Sequence, residues 1–423
     1  MRLQFYLSSA LVTIALLFTG CRKSGPAVQA PPPLPYGVVS TSPVNAIAEI
    51  SARCGGNVSF EGLSALTAVG VCWDVNPSPT ILRPHTNDGA GTGSFESVLT
   101  GLEPDTKYYV RAYATNASGT NYGQEVSFRT LPKWVNLIPQ SQFADQIRCI
   151  VSTGSDLFIG GNGFNGNLRK STDNGTTFTT LNNGITGVIN AMFVQGSTLF
   201  AATSNGLFKS TDGGVSFASA DNGIPAGSMS SIGALGSRLF AGTGGDGLYY
   251  SVDNGDNWIE VTDTDILNNY ISEIVVLGTN VFVVAGNFTP KLFLSTDSGL
   301  TWDEVSQDLP LNNSNISEVF VNGTALYACV YGVGIYKTTD NGDNWTMVSN
   351  GLTNNLIYNS VQKGSVLIVG TQGSGAFLSS DEGANWSPIN AGLPGNASIS
   401  ALGKNNTSVF TAVNGGLYRR NIQ

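Results

Sequence analysis

From Tyr36 onward, apolar and polar residues alternate in short runs separated by clusters of Gly, Asn, Asp and Pro. A period of two over about four to eight residues, bounded by turn formers, is the pattern of half-buried β-strands. Between Tyr36 and Thr130 the clearest predicted strands are AIAEISARC (46–54), TAVGVCW (67–73), YYVRAYAT (108–115) and EVSFRT (125–130). In GLEPDTKYYVRAYA, the residues Leu102, Pro104, Thr106, Tyr108, Val110 and Ala112 fall on one alternating face. Trp73 reads as core between two sheets, because a large aromatic in a central strand is more often packing than ligand contact.

Beyond Leu131 and Pro132 the alternation becomes periodic. One eight-residue motif recurs as STDNGTTF, STDGGVSF, SVDNGDNW, STDSGLTW, TTDNGDNW and SSDEGANW, with its Asp at 173, 212, 253, 297, 340 and 381. The repeat of roughly 41 residues, with four short β runs in each unit, is the signature of propeller blades. Each unit reads as an inner strand such as ISEIVVL, a second such as VFVVAG, a third such as KLFLS, then the motif, then a fourth strand starting at the aromatic. The motif is thus predicted to be the hairpin between strands three and four: Asp accepts turn N–H groups, Gly supplies a positive φ, and the aromatic packs inward. All six copies resemble the Asp-box, S/T-x-D-x-G-x-x-W/F, with Asp173, Asp212, Asp253, Asp297, Asp340 and Asp381 as its structural carboxylates.

The last segment supplies three strands (398–402, 409–413, 416–420) and no box, whereas KWVNLIP (133–139) looks like the strands that follow the boxes. The two ends of the domain are therefore expected to share a seventh blade, removing exposed sheet edges. The ordered series GVCWDVNPSPT and DGAGTGSFESVLTGLEPDTKYYVRAYATNASGTNYGQEVSF resembles fibronectin type III modules, and implies a Tyr hydroxyl tied to upstream backbone at a corner. The expected architecture is all-β: a fibronectin type III-like β-sandwich over 36–131, then a seven-bladed Asp-box β-propeller over 133–423.

Residues 1–20 carry one early cation, Arg2, and an apolar run too short to span a bilayer, which reads as a secretory signal. LFTGC resembles a bacterial lipobox, which implies lipid attachment at Cys21 and a Pro-rich tether over 21–35. The expected location is the cell envelope, anchored to a bacterial membrane. The remaining cysteines, at 54, 72, 149 and 329, lack metal or redox spacing, and whether Cys54 and Cys72 pair stays open. A net charge of −9 without a basic stripe argues against nucleic acid. No cofactor or metal site is expected: the DNGDN segments lack the spacing and bidentate Glu of a calcium loop, and the one histidine, His85, stands in a polar loop before the repeats.

Asp-box propellers include sialidases, which resemble one another in an Arg triad and an Arg-Ile-Pro motif. This chain has no Arg-Ile-Pro, and its repeats hold only Arg148, Arg169, Arg238, Arg419 and Arg420. Aligned inner strands give the column Cys149, Ala191, Ser231, Glu273, Glu318, Asn359, Ala401. Glu273 and Glu318 then lie on adjacent blades near the axis, the best candidate acid/base pair for a glycosidase; the bland reading is two solvated carboxylates. Binding is the stronger expectation. Variable loops on a rigid repeat scaffold are where recognition is carried, and Arg148, Phe164, Tyr270, Glu273, Phe288, Glu318, Tyr331 and Tyr358 sit in or beside them. The expected partner is a glycan or protein, held by a monomer. The repeats also resemble a photosystem II assembly factor and sortilin-type receptors, both of which bind proteins.

Overall fold

The computed structural model describes residues 35–138, 146–162, 168–181, 184–312 and 314–422. The signal, Cys21, most of the tether and Phe164 lie outside the described residues.

The N-terminal region forms two antiparallel sheets. One contains Val38–Thr41, Ser51–Phe60 and Gly93–Thr100; the other contains Leu66–Asp74, Lys107–Asn116 and Gly119–Tyr122, with Val126–Arg129 also on Lys107–Asn116. Their facing residues, among them Val71, Trp73, Leu99, Val110 and Ala112, form one buried cluster. Tyr108 sits where alternation puts it, and its hydroxyl accepts the Glu103 N–H at 2.9 Å.

One predicted strand is displaced. Residues 46–50 form a turn, with Ala46 at φ 45° and Ala48 N–H donating to Ser51 C=O, and the strand runs instead over Ser51–Phe60. Gly55 looks like a terminator in sequence, but it is inside the strand because a Cβ there would lie 2.1 Å from the Phe95 carbonyl. It marks a close approach of two strands rather than a reversal. Cys54 and Cys72 lie in strands of different sheets, and both are buried free thiols.

From Val135 on, the described residues build seven four-stranded antiparallel sheets. Six are consecutive in sequence. The seventh joins Ile399–Lys404, Ser408–Val413 and Gly416–Asn421 to Val135–Ile138, with Leu417 opposite Ile138 and Arg419 opposite Val135. The first strands touch in sequence order, and that of the seventh sheet touches that of the first, so the ring is closed.

The boxes are structural in detail. In the third, Ser251 Oγ accepts the Gly255 N–H at 2.9 Å and donates to Asp253 Oδ1 at 2.7 Å. Asp253 Oδ1 also accepts the Asn257 N–H at 2.9 Å. The box Gly has a second reason beyond its φ of 78°: a Cβ on Gly255 would meet the Phe200 ring of the preceding sheet at 2.9 Å. The box aromatic points the same way, since Trp258 Nε1 donates to Ala220 C=O at 2.7 Å. Trp134, which has no box, makes the equivalent bond to Ile389 C=O at 2.6 Å and so completes the series. The box Gly thus meets the preceding sheet as well as shaping a turn; the indole bond is made by Trp258, Trp345, Trp386 and Trp134, while Trp302 Nε1 is buried without a partner among the described residues.

The two regions are joined by a buried contact. Glu49 accepts a charged hydrogen bond from Arg420 and the Ala391 N–H at 2.9 Å, and Arg420 is 1% exposed. Leu131 packs into the cluster around Trp134 and Ile389.

Candidate binding site at the axial mouth

Every first strand in the ring carries the same irregularity near its start. The register slips between Ile271 and Glu273, so Ser272 and Glu273 together oppose Val284. The slip recurs at the matching place in all seven sheets. A bulge leaves one residue out of the ladder and re-aims its side chain. Here the unpaired residues are Arg148, Asn190, Ser230, Ser272, Ser317, Tyr358 and Ser400. Several of these polar side chains lace adjacent sheets. Arg148 donates to Asn190 Oδ1 at 2.9 Å, Asn190 to Met229 C=O at 2.9 Å, and Ser400 to Ile147 C=O at 2.8 Å. The ring was visible in sequence as the column just before the aligned one, polar throughout and preceded by Ile or Met.

The loops between second and third strands close the same end. Gly244, Gly286, Tyr331 and Gln372 each donate a backbone N–H to the segment leading into the first strand of their own sheet. The boxes lie at the opposite end, where the turns between first and second strands meet them. Asn280 donates to Asn341 Oδ1 at 3.0 Å, and Asn405 to Asn174 Oδ1 at 2.7 Å.

Arg148, Tyr270, Glu273 and Glu318 gather at the mouth. Glu273 and Glu318 follow their bulges directly, on adjacent sheets, and retain part of their water contact. Burial pushes the Glu273 carboxyl up to about 8. Burial, then the charge of Glu273, raises Glu318 well above its ordinary value despite the Ser360 hydroxyl donating to Glu318 Oε1 at 2.7 Å. The Tyr270 hydroxyl is raised by burial and by Glu273, with Arg148 opposing. Beside this group Tyr331 and Tyr358 meet edge to face at 5.6 Å, and Tyr358 remains 42% exposed. Their shared hydrogen bond, with burial second, raises the Tyr358 hydroxyl to about 12.

Two expected residues stand elsewhere or outside the description. Phe288 is on the same end but in a separate cleft, and Phe164 is not described. The arginines do not form a triad. Arg238 reaches Ser298 C=O at 2.6 Å, Arg419 reaches Asn174 C=O at 2.9 Å, and Arg420 is committed to Glu49. Among the described residues, no three His, Cys, Asp or Glu side chains are grouped to hold a metal.

A family model described as the DUF6242 beta propeller domain matches residues 270–417. The structure titled YCF48 bound to D1 peptide superposes with a TM-score of 0.56 at 15% identity, covering 70% of this chain and 100% of that one. The extracellular domain of the one-component system BT4673 from B. thetaiotaomicron gives a TM-score of 0.54 at 13% identity, over 90% of this chain and 58% of that one. The GH74 xyloglucanase from Xanthomonas campestris gives 0.52 at 15% identity, over 69% of this chain and 54% of that one. No curated protein matches. At these identities the likeness shows the fold, a β-propeller, which both enzymes and non-enzymes use.

Proposed function

We propose that the chain is an exported, lipid-anchored binding protein of the bacterial cell envelope. Its fibronectin type III-like sandwich carries a seven-bladed Asp-box propeller that binds a glycan or protein ligand at the axial mouth. The observation that carries this reading is the convergence of Arg148, Tyr270, Glu273, Glu318 and the half-exposed Tyr331–Tyr358 pair at one end of a closed ring. Convergent polar groups beside exposed aromatics are the composition of recognition sites. The resemblance of LFTGC to a lipobox and the Pro-rich stretch after it support an anchored head.

A hydrolase would use the same carboxyl pair. A glycosidase dyad needs one carboxyl ionised and its partner protonated, which requires environments that push the two apart. Here burial raises both, and the charge of Glu273 raises Glu318 further. In that second reading Glu318 is the carboxyl that stays protonated longest; in the binding reading both serve as hydrogen-bonding groups.

The test is binding of the full chain to immobilised oligosaccharides and peptides, compared with an Arg148→Ala/Tyr358→Ala variant. Removing a charged donor and an aromatic anchor should weaken the ligand found by about tenfold or more. Unchanged binding would move the site off the mouth.

A further inference from the structure

A second feature on the loop end is built differently. Phe288 is 97% exposed, the most exposed of the large apolar side chains among the described residues. Its loop is nonetheless braced. Asn287 Oδ1 accepts the Tyr270 N–H at 3.1 Å, Asn287 Nδ2 donates to Asn268 C=O at 3.3 Å, and Gly286 N–H donates to Tyr270 C=O at 3.0 Å. Asn269 Nδ2 in turn donates to Asp265 C=O at 2.9 Å, fixing the facing loop. An aromatic ring is thus held out in water by a hydrogen-bonded frame. Packing does not explain it.

Beside the ring lies a cleft of about 410 Å³. Its lining includes buried Phe293 and Ala285, and around them Thr264, Asp265 and the ion pair of Lys291 with Glu304 at 2.6 Å. The Asp265 carboxylate is exposed and makes no side-chain hydrogen bond within the described residues. The chemistry combines an aromatic platform, a small apolar lining, an ion pair that cancels its own charge and one carboxylate acceptor, Asp265. A pyranose ring matches it: apolar C–H groups on one face lie on an aromatic, and hydroxyls around the edge are donors and acceptors together. An extended peptide would instead seek an open strand edge or an apolar groove.

We propose that this cleft is a saccharide subsite in which Phe288 stacks on a neutral sugar ring and Asp265 accepts its hydroxyls. This deepens the binding reading and rests on it, because it places a second contact on the same loop end. Tyr270 belongs to both places, contacting Asn287 through its backbone while its hydroxyl senses Glu273 and Arg148.

The experiment is calorimetric titration, with saturation-transfer NMR, of the full chain with neutral tetrasaccharides of glucose, xylose and N-acetylglucosamine. A tetrapeptide of Gly and Ser serves as control. At least one saccharide should bind at up to about 10 mM ligand, the weak end of the affinity scale. Phe288→Ala should weaken it about tenfold or more, and Phe288→Trp should keep it within about threefold. With Phe288 in water, neither substitution should shift the melting temperature. No saccharide binding, binding unchanged in Phe288→Ala, or equal binding of the tetrapeptide would each overturn the subsite. A saccharide lost in Tyr358→Ala but kept in Phe288→Ala would overturn the subsite and leave the axial reading standing.

Discussion

At the scale of single residues, the recurring S/T-x-D-x-G motif changes meaning between sequence and structure. Its Asp looks like chemistry when met once, and six copies make it a turn. What the sequence could not show is how the box reaches the preceding sheet, because that depends on which Phe faces which Gly across a sheet boundary. Ser251 is fully buried and satisfies the Gly255 N–H. Ser251→Ala should therefore cost about 1–3 kcal/mol by stranding that donor, seen as a lower midpoint in denaturant.

The two kinds of carboxyl predict opposite responses to pH. Hydrogen bonds hold the box carboxylates down, led by the Thr177 hydroxyl for Asp173, the Ser216 hydroxyl for Asp212 and the Thr338 hydroxyl for Asp340, to about 2 in each. Their folded values lie below the unfolded ones, so their stabilisation is complete above about pH 4 and is lost as pH falls toward 2. Glu273 is raised to about 8, so its contribution is present below its ordinary value and is lost as pH rises through 8. Glu273→Gln cannot ionise. Its melting temperature should exceed that of the wild type by several degrees near pH 8.5, and the gap should close near pH 4.5. A constant gap would deny that burial raises Glu273.

At the scale of elements, the ruler of repeated boxes located strands well and the closing strand in particular. Val135–Ile138, within KWVNLIP, pairs with the final strand as the likeness to the post-box strands implies. The displaced strand at Ser51–Phe60 shows the limit. A glycine needed for close approach and one needed for reversal look alike until the neighbouring strand is in place. The bulges are invisible to alternation within any one strand for a related reason: the slip appears only as a column across seven first strands. Trp134 carries the closure, with its ring 1% exposed and its indole bonded to Ile389. Trp134→Ala should cost about 3–5 kcal/mol. Deleting 133–139 should destabilise the whole ring, lowering one cooperative melting transition; a deletion that melts unchanged would refute closure by both termini.

At the scale of the whole molecule, the N-terminal sheets are locked to the ring. Glu49 and Arg420 form a buried charged pair across the junction, supported by the Ala391 N–H. The sequence could not reveal it, because the partners are 371 residues apart and neither belongs to a motif. Removing one partner strands a buried charge, so Glu49→Ala should cost about 3–5 kcal/mol. Limited proteolysis after Leu131 should then become faster, as the junction opens.

The propeller serves enzymes and binders alike, so its function has to be decided at the mouth. The most direct measurement is turnover of a broad panel of fluorogenic glycosides and polysaccharides by the full chain and by Glu273→Gln, between about pH 4 and 9. Neither protein should release product above buffer, and the variant should keep its ligand binding. Turnover by the wild type that is abolished in Glu273→Gln would contradict the binding reading.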